Sequence, residues 1–325
     1  MSTGLERVRA ALRGEPGDQV PVVPILHTMA ARLAGVPIGR FASDAALMAR
    51  AAVEAWERFG YDGLQLTLGV AAEAEALGAP SALPDDGLPV VTAPLLREPA
   101  DLARLRPPDV YADGRLPLFA EAVRRVAEAA GQEAWVVGTI RGPLLMAAQL
   151  RGVEQLLIDL LERPAWCAEL MAFTAEVGAA FGRALVEAGA HAIAIGEATS
   201  SPDFISPRLY RQQVAAHQAR LVGALHAAGA EAVVMHICGR ALPLVPDVAA
   251  IGCDVMDIDA QVDPAAALAV SGRMALRGNI DPAGVLLYGT PELVEEKVRA
   301  ALAAAGRQGR FILSSGCDVP PDTPP

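Results

Sequence analysis

Eight short β-forming runs, most of them followed by a stretch of helical character, constrain the fold of this chain more than any other feature. They are "PVVPIL", "DGLQLTL", "AWVVGTI", "HAIAIGE", "AVVMHIC", "DVMDIDA", "MALRGNI" and "RFILSSG". Between them, Ala/Leu/Glu/Arg periodicity predicts helices over 44–59, 116–130, 153–188 with a break at Pro164, 207–228, and 291–305 with Thr290 as N-cap. Strands that alternate with helices pair in parallel, so the pattern predicts an α/β chain closed into a (β/α)8 TIM barrel, with an open doubly wound sheet as the alternative. No internal repeat is visible, and residues 1–325 read as a single barrel domain. Residues 80–117 break the rhythm with eight prolines and are expected to form an insertion folded against the barrel. The tail "DVPPDTPP" reads as a terminal loop, because proline lacks the donor that a helix or a central strand needs.

Composition narrows the chemistry. With 27 basic and 38 acidic residues, the net charge of -11 repels polyphosphates and anionic lipid surfaces, which argues against nucleic-acid and membrane partners. No charged-then-apolar leader is visible at the N-terminus, and no apolar run approaches the ~20 residues of a membrane span, so a cytoplasmic location is expected. In that compartment Cys167, Cys238, Cys253 and Cys317 are core fillers, metal ligands or catalytic thiols, not a disulfide framework. The one lysine, Lys297, falls on a polar helix face, which argues against Schiff-base chemistry.

The run "AVVMHIC" places His236 and Cys238 two residues apart, on the same face if the strand continues through both. That spacing is ~6.6 Å along a strand, which side-chain bending can close around a zinc ion; a satisfied core pair is the alternative. Cys317 ends the last strand in "FILSSGCDVP", and barrel strands bring their C-terminal ends to a common rim, so it is the third candidate ligand. Cys253 precedes its strand and belongs to the opposite rim, while Cys167 lies within a helix; both read as buried apolar residues. Asp257 and Asp259 share a face of "DVMDIDA". Asp259, nearer the rim, is either a fourth ligand that yields to substrate or the acid that orients the histidine; alternatively both acids line the barrel opposite Arg277. Glu197 is expected to meet substrate or cofactor from the rim, His27 is a candidate pocket base or cofactor contact, and Asn279 a cofactor contact. Gln65, Thr67, Thr139 and Arg141 have the inward parity of lining residues.

Three protein ligands with one exchangeable position describe a catalytic zinc site. Two thiolates cancel the metal charge, and an incoming thiol that loses its proton there stays electron-rich enough to attack carbon, so such a site suits S-alkylation better than hydrolysis.

"HICGR", "LRGNIDP" and "SSGCDVPPDTPP", with "GTIRGPLLMAAQLRG" and "SPDFISPRLYRQQVAAH" upstream, resemble the uroporphyrinogen decarboxylase superfamily over nearly the whole chain. The His-x-Cys pair and the distant Gly-Cys-Asp are similar to its branch of zinc- and cobalamin-dependent methyltransferases, which includes the methylcobalamin:coenzyme M enzymes. The resemblance implies a (β/α)8 fold, zinc held by His236, Cys238 and Cys317, and methyl transfer between a corrinoid, free or carried by a small corrinoid protein, and a small thiol or other methylated compound. By position Asp259 matches a carboxylate near the metal in related enzymes. The decarboxylases of the superfamily need no metal and bind their substrate's carboxylates through clustered arginines. Here the matching stretch "PVVPILHTMAARLAG" offers Arg32 alone. Metal-free decarboxylation, and a non-enzymatic corrinoid- or zinc-binding accessory role, are the alternative readings.

Overall fold

In a computed structural model, which describes residues 2–305 and 309–325, seven parallel strands follow one another around a curved sheet in chain order: Gly63–Leu66, Trp135–Arg141, Ala192–Gly196, Ala232–His236, Val255–Asp257, Ala275–Ile280 and Phe311–Ser315. The eighth expected run, residues 21–26, joins the two ends of this sheet. Val22 makes a parallel bridge to Leu313, and its carbonyl accepts from the Asp62 amide at 2.7 Å, so the ring closes as a (β/α)8 barrel. It forms a single bridge and not a full strand because Pro21 and Pro24 have no N–H to give to a ladder.

Alternation along these strands sorts the interior into layers. The lower layer is apolar and built from small residues: Val137, Ala192, Ala194, Ala232, Val234, Val255 and Ala275 pack with Val8 and Ala11 of helix Gly4–Arg13, which plugs the bottom. One pleat higher the inward positions turn polar. Arg141, Gly196, His236, Asp257 and Arg277 stand in register across five adjacent strands. The larger apolar cluster lies between the outer face of the sheet and the surrounding helices.

Most expected helices are present: Ala45–Phe59, capped by the Asp44 carboxylate, Leu116–Ala130, Val153–Glu162 and Pro164–Glu187 on either side of Arg163, and Pro291–Ala305. The stretch 207–228 is helical but passes through a π-helical turn at Tyr210–Val214. Two helices bearing on the site, His27–Leu33 and Pro143–Arg151, are not legible as helices in the sequence. Every residue of the second except Gln149 is buried, so it carries no amphipathic stripe to reveal it. Within 80–117 the chain forms a two-residue antiparallel pair, Ser81–Ala82 with Val90–Val91, and a 3-10 turn at Pro99–Arg104. The segment is tied to the barrel through Leu96, whose amide donates to the Leu150 carbonyl at 2.9 Å. No helix of the described residues is long and apolar enough to cross a membrane.

Candidate metal and substrate site

His236 is the last residue of its strand, so Cys238 lies beyond the strand and strand alternation does not place it. A turn does. Gly239 adopts φ +77°, a conformation that costs glycine little, and its amide donates to Asp259 Oδ2 at 2.9 Å. The turn folds Cys238 back onto the imidazole. Cys317 reaches the same point from the last strand: the Gly316 amide donates to the Ile280 carbonyl at 2.7 Å, and the Val319 amide to that of Ile25 at 2.9 Å.

The result is a triangle. His236 Nε2 lies 3.2 Å from Cys238 Sγ and 3.6 Å from Cys317 Sγ, and the two sulfurs are 3.8 Å apart. Among the described residues this is the one group of three or more ligating side chains close enough to share an ion. Zinc at ~2.3 Å from sulfur and ~2.0 Å from nitrogen in tetrahedral geometry requires edges of ~3.8 Å between sulfurs and ~3.5 Å between sulfur and nitrogen. The two longer sides match those edges and the His236–Cys238 side is shorter by about 0.3 Å, so the donor set fits zinc in chemistry and closely in spacing.

Behind His236 a buried polar chain crosses the barrel. His236 Nδ1 lies 3.0 Å from Asp257 Oδ2, while Arg277 grips the same carboxylate through Nε at 2.6 Å and Nη2 at 2.7 Å. Arg277 Nη2 also donates to Gln65 Oε1, and Gln65 Nε2 to Thr139 Oγ1. An ionised carboxylate only accepts, so Nδ1 carries the proton and Nε2 is turned toward the sulfurs. Burial opposes charge on His236, but the hydrogen bonds to Asp257 and Cys317 outweigh it and raise the imidazole to about 10. Burial likewise opposes ionisation of Asp257, yet Arg277 and His236 hold it down at about 2. Donation from Cys238 and then His236 lowers Cys317 to about 4, while Cys238 is pushed up.

The acid that orients the histidine is Asp257, not Asp259. Asp259 spends its oxygens on the amides of Gly239 and Gln261 and so shapes the turn carrying Cys238. Asn279 Nδ2 donates to the Val262 carbonyl at 2.7 Å, holding the loop that follows Asp259. Glu197 is fully buried and uses both oxygens internally: Oε1 accepts from the Leu144 and Leu145 amides, Oε2 from Ser200 Oγ and Gln218 Nε2. It thus supplies from a neighbouring strand end the N-terminal cap that Gly142 cannot. A Cβ on Gly142 would lie 2.1 Å from Glu197 Oε1, so only glycine admits this cap. His27 opens a helix instead of ending a strand, with Nδ1 3.4 Å from Asp318 Oδ1. Asp318, the acid of the Gly-Cys-Asp stretch, has no role that the sequence assigns to it; the structure places it against His27.

A cavity of about 260 Å³ lies over the triangle, with His27, Thr139, Arg141, Glu197 and Asp318 among its walls and Ile25, Leu88 and Leu145 as apolar cover. A cleft of about 430 Å³ at the opposite rim, beside Cys253 and Arg273, contains no comparable cluster of ligating side chains. Cys253 is buried there and Cys167 is buried in its helix, as expected.

Fold and site together define a parallel barrel that carries an imidazole and two thiols at the C-terminal rim. Comparison with known proteins makes this more specific: the uroporphyrinogen decarboxylase (URO-D) profile matches residues 3–325, and the chain belongs to that family. A methylcobamide:CoM methyltransferase of Methanosarcina barkeri is 29% identical, over 98% of this chain and 93% of its own. A uroporphyrinogen decarboxylase of Streptomyces avermitilis is 32% identical, over 73% of this chain and 66% of its own. The solved structure of a methyltransferase from Methanosarcina mazei superposes with a TM-score of 0.91 at 27% identity, covering 100% of this chain and 95% of that one.

Proposed function

We propose that this protein is a zinc-dependent methyltransferase that moves a methyl group between a corrinoid and a small thiol or methylated compound. The observation that carries this reading is the triangle of His236, Cys238 and Cys317, whose sides of 3.2, 3.6 and 3.8 Å suit a tetrahedral zinc with one position left for substrate. The full-length similarity to methylcobamide:CoM methyltransferases supports it. Zinc, when bound, supplies the charge that lowers a substrate thiol's pKa below neutrality. The chain's own residues do the rest. Asp257 and Arg277 fix the ring of His236, Asp259 holds the Cys238 turn, and Ile25, Leu88 and Leu145 keep water from the sulfur. The cavity of about 260 Å³ lies at or below the ~300–1,000 Å³ of drug-sized ligand sites, enough for a small thiol, so the corrinoid meets it at the mouth.

Metal-free decarboxylation of a tetrapyrrole fits less well. Arg32 pairs with Asp86 outside the cavity and Arg277 is neutralised by Asp257, which among the described residues leaves Arg141 as the one guanidinium of the cavity wall without a carboxylate partner, too few counter-charges for a polycarboxylate. The test is to follow the cobalt absorption of methylcobalamin with a panel of thiols while assaying carbon dioxide release from uroporphyrinogen. Thiol-dependent demethylation that is lost in His236→Ala and Cys317→Ala supports the proposal; carbon dioxide release by metal-free protein contradicts it.

A further inference from the structure

We infer that His27 is the proton acceptor for the substrate thiol. The inference rests on the methyltransferase reading and adds a residue to it. A thiol that reacts as thiolate in an enclosed cavity must pass its proton to a base within reach, and the cavity walls offer few. His236 faces the cysteines and Asp257, and Glu197 has all its acceptor directions filled by four donors. Asp318 Oδ1 already accepts from the His27 backbone amide at 3.1 Å. His27 is different: its side chain is only 10% exposed, it lines the cavity, and its Nε2 is buried without any partner.

A buried imidazole nitrogen left unpaired costs stability unless something occupies the space beside it for part of the cycle. The other ring nitrogen completes the arrangement. Nδ1 lies 3.4 Å from Asp318 Oδ1, a contact that favours the proton on Nδ1 and leaves Nε2, in a residue of the cavity wall, without a partner. Asp318 directly follows Cys317, so one turn sets both a candidate ligand and the aim of the base. In the forward step the thiol S–H bond breaks, its electron pair stays on sulfur, and the proton forms an N–H bond at His27 Nε2. The resulting imidazolium lies beside the Asp318 carboxylate, and proton loss to solvent after methyl transfer restores the neutral ring.

The test counts protons. Binding of 2-mercaptoethanol to the zinc-loaded protein is measured by calorimetry at about pH 8 in buffers of different ionisation enthalpy, for wild type, His27→Gln and His27→Asn. If His27 takes the proton, wild type releases about one proton fewer to the buffer than either variant. With methylcobalamin, the variants lose on the order of 10²-fold in rate with alkyl thiols, far less with an acidic aryl thiol, and regain rate with added imidazole. Equal proton counts, or a loss independent of thiol acidity, overturn the inference. A wild type that binds no thiol overturns the parent reading together with this one, whereas thiol binding with equal proton counts overturns this one alone.

Discussion

Asp257 Oδ2 lies 3.0 Å from His236 Nδ1, and this contact decides which ring nitrogen faces the cysteines. Asp257 is itself held by two nitrogens, Nε and Nη2, of the fully buried Arg277 guanidinium, so the orientation of a candidate metal ligand is set three residues deep in the barrel.

Replacing the acid by its amide keeps the volume and removes the charge. Asp257→Asn is expected to weaken zinc binding by roughly 10- to 100-fold, as loss of a carboxylate behind a ligand histidine does. Competition against a chromophoric chelator measures it; unchanged affinity contradicts the orienting role.

The same carboxylate makes the stability of the metal-free protein sensitive to acid. Its folded-state pKa is depressed from 3.8 to about 2, so its contribution is fully present above the unfolded value and lost as pH falls from about 4 through about 2. The contribution is on the order of 2 kcal/mol. Urea titrations of chelated protein across that window should show the loss in wild type and a flatter profile in Asp257→Asn.

Glu197 is expected to matter for folding more than for chemistry. Glu197→Gln presents an NH2 group where Gln218 Nε2 already donates, and should cost about 1–3 kcal/mol. Thermal unfolding reads the cost. Activity per folded molecule should remain within a few-fold of wild type, and a stable but inactive variant would return Glu197 to the reaction.

The cysteines separate cleanly by rim. Cys317→Ala should lose zinc, whereas Cys253→Ala, far from the triangle in a buried site, should keep it at a cost of about 1 kcal/mol. Elemental analysis of both purified variants checks the contrast; equal metal content contradicts it.

Much of this was legible in the chain because barrel strands announce themselves as short apolar runs and bring their ends to one rim. That logic united His236, Cys238 and Cys317 across 81 residues of sequence. What escaped it was set by turns and burial. The strand stops at His236, so Cys238 reaches the imidazole through the positive φ of Gly239 and not through alternation. Asp259 and Asp257 share a face, and only the register His236–Asp257–Arg277 shows which acid meets the ring. Glu197 carries the sign of a site residue yet caps the buried helix Pro143–Arg151, whose lack of a polar face hid it.

Zinc K-edge X-ray absorption on the purified protein, before and after adding a thiol, reads directly whether His236, Cys238 and Cys317 hold a zinc that accepts a substrate sulfur. About one zinc per chain is expected, with two sulfur ligands and one histidine nitrogen, and a third sulfur when thiol is added. A protein without zinc, or a zinc shell that thiol leaves unchanged, would contradict it.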